Sequence, residues 1–471
     1  MELKRTFGLW ASVSMVIGGI IGSGIFMKPA MMAALVGSPA ALLGIWIVAG
    51  LISMLGALSN AEVAAMFPET GGQYIFFQKM YGDFVAFLYG WAAFAVFNTA
   101  GVASIAYVMA TYTTYFIKFP EFSDSFQHML YVYLPGLGRI FPFENLSIKI
   151  FTIAIVGALT VVNYRSTKAG GRLQVIFTML KVAAMSMLIV GLLFSRSGSF
   201  SHLAHASGPL PAGWPLVMAL VAAISGAFWG YDGWNNITFV AGEIKNPQRN
   251  IPLGLIIGMS GTILIYVLLN LAYLYVLPIE DIAASGFVAS DAGSRAFGAI
   301  GGGLIAALVI LSTFGTTHGN VLATARVTFA MANEKRFFSW VGKVHPKFQT
   351  PGNALVVHFL WTAMLIVSGS FDMLTDMLVF VSWVFYGLSA FGVFILRRSL
   401  PAVARPYKVL AYPWVPGLFV LAAAIFLVLT VYNDVTTYLE GTKPLINSLF
   451  GLLLTALGIP LYYYFRRQSL N

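Results

Sequence analysis

Twelve long apolar runs, each about as long as a membrane-spanning helix, recur along the chain. About 20 apolar residues are needed to cross the roughly 30 Å hydrocarbon core of a bilayer. Of the 471 positions, 59% are hydrophobic and only 9% are charged, which is too little polar surface to coat a water-soluble globule of this size. The chain is therefore predicted to be an all-α integral membrane protein. The runs lie near 9–35, 40–66, 83–117, 148–164, 171–194, 215–242, 252–277, 299–332, 353–370, 373–396, 414–432 and 445–465.

The basic residues predict the orientation of these spans. The formal net charge is +10, but the lysines and arginines stand singly or in small groups and form no basic face for nucleic acid. Of these 27 residues, 18 lie in loops on the side of the N-terminus, six in the opposite loops and three inside the runs. By the positive-inside rule, both termini are expected in the cytoplasm, in a multi-pass protein of the inner (cytoplasmic) membrane. Lys4 and Arg5 resemble the start of a signal peptide, but we interpret the run after them as the first span.

Two spans have helix-breaking composition at their centres. The first contains Gly18-Gly19 and Gly22-Ser23-Gly24, and the sixth contains glycines between Gly226 and Asn235. A unit of five spans that is repeated once has opposite orientations in the membrane, so broken helices at spans 1 and 6 predict a five-plus-five inverted repeat. The alternative is that these glycines only let neighbouring helices pack closely.

The loops are short, so the whole chain, 1–471, is expected to form one transmembrane domain. Within it, the first repeat is expected at about 7–195 and the second at about 213–397. Two additional helices are expected at about 413–466.

A helix that unwinds inside a membrane leaves backbone groups without partners, which is tolerated only where they face protein or a wet cavity. Amides at the start of the second half-helix, at Ser23, Gly24 and Ile25, suit a carboxylate because free donors and the helix dipole favour an anion. The carbonyls that end the first half-helix, and those near Phe228 and Gly230, suit an ammonium group. The paired breaks therefore predict a site for a zwitterion such as an α-amino acid.

Three side chains beside the second break each have two interpretations. Trp229 and Tyr231 would either cover a bound ligand as gates or simply pack between helices. Asp232 is a carboxylate at membrane depth, where an ionisable group is a functional candidate. It would either contact a cationic side chain of the substrate or cap the half-helix that follows.

Lys181 lies about ten residues, or roughly 15 Å, from the inner end of span 5, too far for its ammonium to reach the membrane surface. Its charge would fill a place where a transported cation otherwise binds, carry a proton, or only stabilise backbone carbonyls. Ser312, Thr313 and Thr316 of span 8 would line the cavity or bind Lys181, or else bond between helices.

Six short motifs follow one another along nearly the whole chain. They are Ile20-Ile21-Gly22-Ser23-Gly24-Ile25-Phe26, Phe67-Pro68-Glu69-Thr70-Gly71-Gly72-Gln73-Tyr74, Tyr231-Asp232-Gly233-Trp234-Asn235, Gly242-Glu243-Ile244-Lys245-Asn246-Pro247 with Ile251-Pro252, Arg326-Val327-Thr328-Phe329-Ala330-Met331 with Val344-His345-Pro346, and Arg405-Pro406-Tyr407-Lys408. In this order they resemble the amino acid, polyamine and organocation transporters. Within that superfamily, the resemblance is to the L-type amino acid transporters and the bacterial serine/threonine exchangers.

The resemblance implies a LeuT-like fold that works by alternating access, with spans 1 and 6 unwound. It implies that carbonyls near Ile20 and at the second break hold the substrate amine. The amides of Ser23 and Gly24, next to Gly22, would hold the carboxylate.

The resemblance also assigns two side chains and a partner. Trp229 matches an aromatic gate, and Lys181 matches a lysine at the sodium position of sodium-coupled relatives, which implies sodium-independent transport. Eukaryotic members pair with a glycoprotein through a cysteine, and this chain has no cysteine, so no disulfide-linked heavy subunit is expected. No cofactor or metal is expected.

The leading hypothesis is sodium-independent exchange of small neutral L-amino acids such as serine, threonine or alanine. The alternative is proton-coupled symport in which Lys181 releases its proton. Because Asp232 is a carboxylate, cationic amino acids stay possible substrates. A channel is a remote alternative. So is a protein of another class, an intramembrane serine hydrolase with Ser23 as nucleophile and His318 or His358 as base; we expect no enzyme.

Overall fold

A computed structural model describes residues 5, 7–68, 72–165, 170–208, 210 and 212–470. These residues are almost entirely helical. Glu69, Thr70 and Gly71 of the second motif lie outside the described residues.

The helices follow the apolar runs along the chain. The first half contains α1 (Leu9–Ile20), α2 (Gly24–Val36), α3 (Pro39–Met66), α4 (Gln73–Tyr81), α5 (Asp83–Ala92), α6 (Asn98–Thr113), α7 (Asp124–Gln127), α8 (Leu146–Arg165), α9 (Gly170–Leu193) and α10 (Ser201–Ala204). The second half contains α11 (Trp214–Tyr231), α12 (Pro247–Val276), α13 (Ile279–Ala284), α14 (Val288–Asn333), α15 (Gly352–Ser368), α16 (Phe371–Ser399), α17 (Trp414–Leu439), α18 (Asn447–Ala456) and α19 (Gly458–Leu470). Shorter elements are a π-helical turn (Ala93–Phe97), 3-10 segments (Trp234–Glu243, Ser339–Gly342) and strands β1 (Val132–Leu134) and β2 (Gly138–Ile140).

Most of these helices are long and apolar enough to cross a membrane. In the described chain, ten segments meet that condition when the bent pair α1–α2 counts as one. The apolar part of α9 at Met179–Leu193 and the shorter helix α15 (Gly352–Ser368) occupy the places of the fifth and ninth runs. The all-helical membrane fold predicted from the sequence is thereby confirmed.

The first span is broken where the sequence predicts. α1 ends at Ile20 and α2 begins at Gly24, and the two helices are bent by 44° with respect to each other. The three residues between them, Ile21, Gly22 and Ser23, are not helical. Membrane-depth backbone is therefore freed on both sides of this connection.

The sixth span is also broken, over fewer residues than its glycine-rich composition indicates. α11 continues through Phe228 and Gly230 to Tyr231, and Asp232 is extended with a ψ of 153°. Gly233 follows with a φ of +100°, a conformation that side-chain-bearing residues rarely adopt. The residues expected at the break thus form the last turn of α11, whose carbonyls lack a following helical turn.

The third span contains an irregular turn. Between α5 and α6, the π-helical turn at Ala93–Phe97 changes the backbone hydrogen-bond pattern. The Thr99 hydroxyl donates to the carbonyl of Phe94 at 2.7 Å. The indole N–H of Trp361 donates to the carbonyl of Ala95 at 2.9 Å, so side chains stabilise the turn.

Helix α14 is interrupted near its start. Gly298 has a φ of +75°, which separates a short first segment from the long apolar one. The eighth run was predicted to begin at residue 299, directly after this glycine.

Contacts group the described residues into two compact units. The first comprises Met1–Gln73, Gln174–Ser312 and Tyr386–Leu429, and the second Tyr74–Leu173, Thr313–Phe385 and Thr430–Asn471. Both broken spans belong to the first unit. A repeat relates segments by symmetry, whereas a compact unit groups them by contact, so the repeat boundaries given above stay predictions.

In the second unit, loops are tied together by a small sheet and an ion pair. β1 and β2 form an antiparallel hairpin, and Arg139 N donates to the carbonyl of Pro444 at 2.7 Å. The ammonium of Lys443 lies 3.2 Å from Asp376, whose carboxylate raises the pKa of Lys443. Lys443 therefore stays charged at neutral pH, and its ion pair holds the loop before α18.

Candidate functional site

The start of α2 presents unpaired donors. Ser23 is the N-cap residue and Gly24 and Ile25 are the first helical residues, and no side chain caps this helix end. The first backbone N–H groups of a helix have no acceptor within it. Ser23 is only 2% exposed, and its hydroxyl has no hydrogen-bond partner among the described residues. Because an unsatisfied buried polar group costs about 1–3 kcal/mol, this end of α2 favours a ligand that carries acceptor oxygens.

The carbonyls at the end of α1 are held from two other helices. Tyr266 of α12 donates its hydroxyl to the Ile20 carbonyl at 3.1 Å. Lys181 of α9 donates from Nζ to the Ile21 carbonyl at 3.4 Å. A carbonyl oxygen has two lone pairs, so each of these groups keeps capacity for a second donor such as a ligand ammonium.

The two broken spans touch at a pair of glycines. A Cβ atom on Gly24 would lie 2.6 Å from the Cα atom of Gly230 and 3.2 Å from Cδ1 of Trp229. At Gly22, by contrast, the nearest atom would be the Ile20 carbonyl oxygen at 3.8 Å. The indole N–H of Trp229 is buried and has no partner in the described part of the chain. A second unpaired donor therefore lies beside the start of α2.

Lys181 borders a small cavity next to the first break. The cavity has a volume of about 60 Å³ and is lined mainly by apolar residues, including Phe26 of α2 and Ile305 of α14. Ser312 of α14 also lines it. Thr313 and Thr316 are buried residues of the second unit.

Two of the aromatic residues before the second break pack into the helix bundle. Tyr231 is fully buried, and its hydroxyl donates to the carbonyl of Trp46 at 3.0 Å. Its ring lies 5.2 Å from that of Tyr266. Phe228 packs edge-on against Phe426 at 5.0 Å. For Tyr231 this geometry favours packing, which the sequence left open, over gating.

Side chains close the second break. Tyr386 of α16 donates its hydroxyl to Oδ1 of Asp232 at 2.6 Å, and the backbone of Gly233 also bonds to this carboxylate. Asn235 donates from Nδ2 to Oε1 of Gln73 at 3.2 Å. The Tyr386 hydroxyl also lies 3.5 Å from Oδ1 of Asn235. Asp232 therefore serves a buried network as well as the start of the following segment.

The two histidines considered as catalytic bases have partners in the second unit. Nε2 of His358 lies 2.6 Å from Oγ1 of Thr328. Nδ1 of His318 lies 3.3 Å from Nδ2 of Asn163. Within the described residues, no group of three or more His, Asp or Glu side chains could hold a metal ion.

Several residues of the site were missed from the sequence. Trp46, Tyr266 and Tyr386 lie within apolar runs, where nothing distinguishes them from packing aromatics. Gln73 and Asn235 carried a signal because both belong to the motifs quoted above, but the motifs do not show that the two side chains meet.

A helical protein with many spans, whose first and sixth spans are broken at facing glycines, has the architecture of a secondary transporter. The family model described as amino acid permease matches residues 7–456, so the chain belongs to the amino acid permease family. The resemblance seen in the motifs is thereby confirmed.

Individual relatives extend over nearly the whole chain. The serine/threonine exchanger SteT of Bacillus subtilis is 30% identical over 471 residues, which cover 99% of this chain and 98% of that protein. The human cystine/glutamate transporter is 29% identical over 466 residues, covering 99% and 86%. The mouse large neutral amino acids transporter small subunit 2 is 29% identical over 466 residues, covering 98% and 81%. All three are named for the transport or exchange of amino acids.

Proposed function

We propose that the chain is a sodium-independent exchanger of small neutral L-amino acids, such as serine, threonine and alanine, which works by alternating access. One observation carries this proposal: the unpaired Ser23 hydroxyl and Trp229 indole both lie beside the start of α2, whose first amides have no acceptor within the helix. These donors suit a substrate carboxylate, and the Ile20 carbonyl suits its ammonium group. Trp229 covers the bound substrate as the gate.

Close packing supports a preference for small side chains. Gly24 and Gly230 approach so closely that no Cβ atom fits between them, and the ring of Trp229 also lies against Gly24. A bulky substrate side chain has to displace these groups. The printed name of the Bacillus subtilis relative supports serine and threonine as the first substrates to test.

The position of Lys181 supports sodium independence. Its ammonium binds the Ile21 carbonyl, which is one of the oxygens that a cation at the break would use. Two positive charges a few ångströms apart repel each other, most strongly where water is excluded. Proton-coupled symport stays the second candidate, because Lys181 is only 7% exposed and an ionisable group buried at membrane depth is a candidate proton carrier.

The topology and assembly follow from the charge and cysteine content. Both termini face the cytoplasm of the inner membrane, as the distribution of lysine and arginine indicates. The transporter works without a disulfide-linked heavy subunit because it has no cysteine for the bridge.

Reconstitution in liposomes tests the mechanism. Labelled serine should enter only vesicles that contain an amino acid, and replacing sodium by choline or imposing a pH gradient should change nothing. Entry into empty vesicles driven by a pH gradient would contradict exchange and support proton symport. A sodium requirement would contradict the role given to Lys181. Competition with threonine, alanine, leucine and arginine tests the preference for small neutral substrates.

A further inference from the structure

A second cavity lies at the end of span 10, away from the two broken helices. It has a volume of about 190 Å³ and is lined by Phe391, Phe394, Ile395 and Arg398 of α16. These positions are separated by three, one and three residues, so they share one face of the helix. Along this face, three apolar side chains lead to one cationic side chain. We call this cavity the Arg398 groove.

The Arg398 groove lies at a membrane boundary. Arg398 is the last residue but one of α16, and Trp414 is the first residue of α17. Trp414 is 72% exposed, and the ring of Tyr412 lies 5.4 Å from that of Phe394. Exposed Trp and Tyr side chains at helix ends are typical of the level where hydrocarbon meets lipid headgroups.

The charge next to the groove is positive. Arg397 donates from Nε and Nη2 to the two carboxylate oxygens of Glu62, at 2.9 and 2.6 Å. Arg405 pairs with the same carboxylate at 3.5 Å. Two guanidinium groups thus share one buried acid, which leaves an excess positive charge.

Arg398 itself is available to a ligand. Its side chain is exposed, and it has no acidic partner among the described residues. The neighbouring arginine, Arg397, is already engaged with Glu62 and lies over the ring of Tyr412 at 3.7 Å. The two adjacent arginines therefore have different roles, the first structural and the second free to bind an anion.

We propose that the Arg398 groove binds one anionic phospholipid of the surrounding bilayer. A guanidinium group binds phosphate with charge-assisted, often paired hydrogen bonds. The acyl chain of the same lipid lies against Phe391, Phe394 and Ile395. Basic pockets at helix ends favour anionic headgroups over zwitterionic ones. The lipid lies along the end of α16, next to the ring of Tyr412, and takes no part in the substrate site.

Native mass spectrometry of the full chain in detergent tests this proposal. The probes are phosphatidylglycerol and phosphatidylcholine with identical acyl chains, and glycerol 3-phosphate as a soluble phosphate. The protein should retain phosphatidylglycerol over phosphatidylcholine by about tenfold, which corresponds to about 1.4 kcal/mol. Arg398→Gln should abolish the preference, and Ile395→Trp should reduce retention of both lipids by filling the apolar part.

The controls separate a lipid site from general surface charge. Arg467→Gln removes an exposed basic residue that does not line the groove and should leave the preference unchanged. Full preference in Arg398→Gln, or glycerol 3-phosphate that competes as well as the lipid, would overturn the proposal. Size-exclusion profiles show whether each variant folds. If Arg398→Gln does not fold, Ile395→Trp and Arg398→Lys test the proposal instead. Arg398→Lys should keep part of the preference for phosphatidylglycerol over phosphatidylcholine. Because binding is measured directly, a failure of the exchange mechanism leaves this result unaffected.

Discussion

The first and second breaks stabilise their freed backbone in different ways. At the first break, Tyr266 and Lys181 reach in from other helices and each bonds a single carbonyl. On the other side of the same break, the Ser23 hydroxyl has no partner among the described residues, and the first amides of α2 have no acceptor within the helix. This break is therefore half satisfied by protein, and the other half suits a substrate.

At the second break, the polar side chains of the break itself are bonded by side chains from other helices. Asp232 is bonded by Tyr386, and Asn235 is bonded to Gln73. Buried polar networks of this kind rigidify the segments they join. If the proposed function holds, the two similar glycine-rich sequences have separate roles: the first binds the substrate and the second fixes the geometry.

The largest effect is expected from Gly24→Ala. The new methyl group would meet the backbone of Gly230 at 2.6 Å, and overpacking of this kind costs about 1–3 kcal/mol, or about fivefold to 150-fold in affinity. Gly22→Ala is the matched control because its methyl group would meet nothing closer than 3.8 Å. Serine exchange in liposomes should fall steeply in the first variant and little in the second. Equal losses would contradict the close contact between the broken spans.

Lys181→Gln tests the charge at the first break. Loss of the ammonium group should lower exchange by about tenfold or more, since the Ile21 carbonyl loses a charged donor whose bond contributes about 1.5–3 kcal/mol. Lys149 is a matched control, because it also binds backbone carbonyls, those of Phe141, Pro142 and Val367. Lys149→Gln should lower thermal stability and leave the apparent KM for serine unchanged. A normal KM and a normal rate of serine exchange in Lys181→Gln would show that this lysine is not part of the substrate site.

Tyr386→Phe probes the second break. It leaves the partly buried Asp232 carboxylate without its closest side-chain donor, which should cost about 1–3 kcal/mol of folding stability. Thermal unfolding followed by size-exclusion chromatography measures this cost. Asp232→Asn keeps an acceptor for the tyrosine and should lose less. The apparent KM of folded Tyr386→Phe should match that of the wild type, and a large rise in KM would show that this break also binds substrate.

Ser23→Ala should have the smallest effect and the most specific one. The hydroxyl has no protein partner to lose, so stability should not fall, whereas KM should rise about fivefold for a lost hydrogen bond of about 1 kcal/mol. Ser59→Ala is the control, because Ser59 donates to Leu55 in its own helix at 2.8 Å. It should leave KM unchanged. An unchanged KM in Ser23→Ala would mean that the hydroxyl does not touch the substrate.

The spans could be predicted well because the thickness of the membrane sets their length. The first run was predicted at 9–35, and α1 and α2 extend from Leu9 to Val36. The break in this run was also predictable, since three adjacent small residues interrupt it.

The second break could be located only approximately, because its glycines are required for different structural reasons. Gly230 is required for packing, since a Cβ atom there would lie 2.7 Å from Trp46. Gly233 is required for its positive φ. Sequence spacing does not distinguish these two uses. In the same way, the roles of Tyr266 and Tyr386 depend on contacts between distant segments, which no local pattern encodes.

The π-helical turn in span 3 has a consequence for comparing related chains. A π turn holds one more residue than the α turn it replaces, so it corresponds to a single insertion inside a helix. If a relative has an ordinary α-helical turn in place of Ala93–Phe97, its sequence needs a one-residue gap at this point of the alignment. Aligned without that gap, every position of one half of the span would be paired with a residue about 100° around the helix from its true counterpart. Lipid-facing and buried positions would then be exchanged, and ancestral reconstructions through this span would inherit the error.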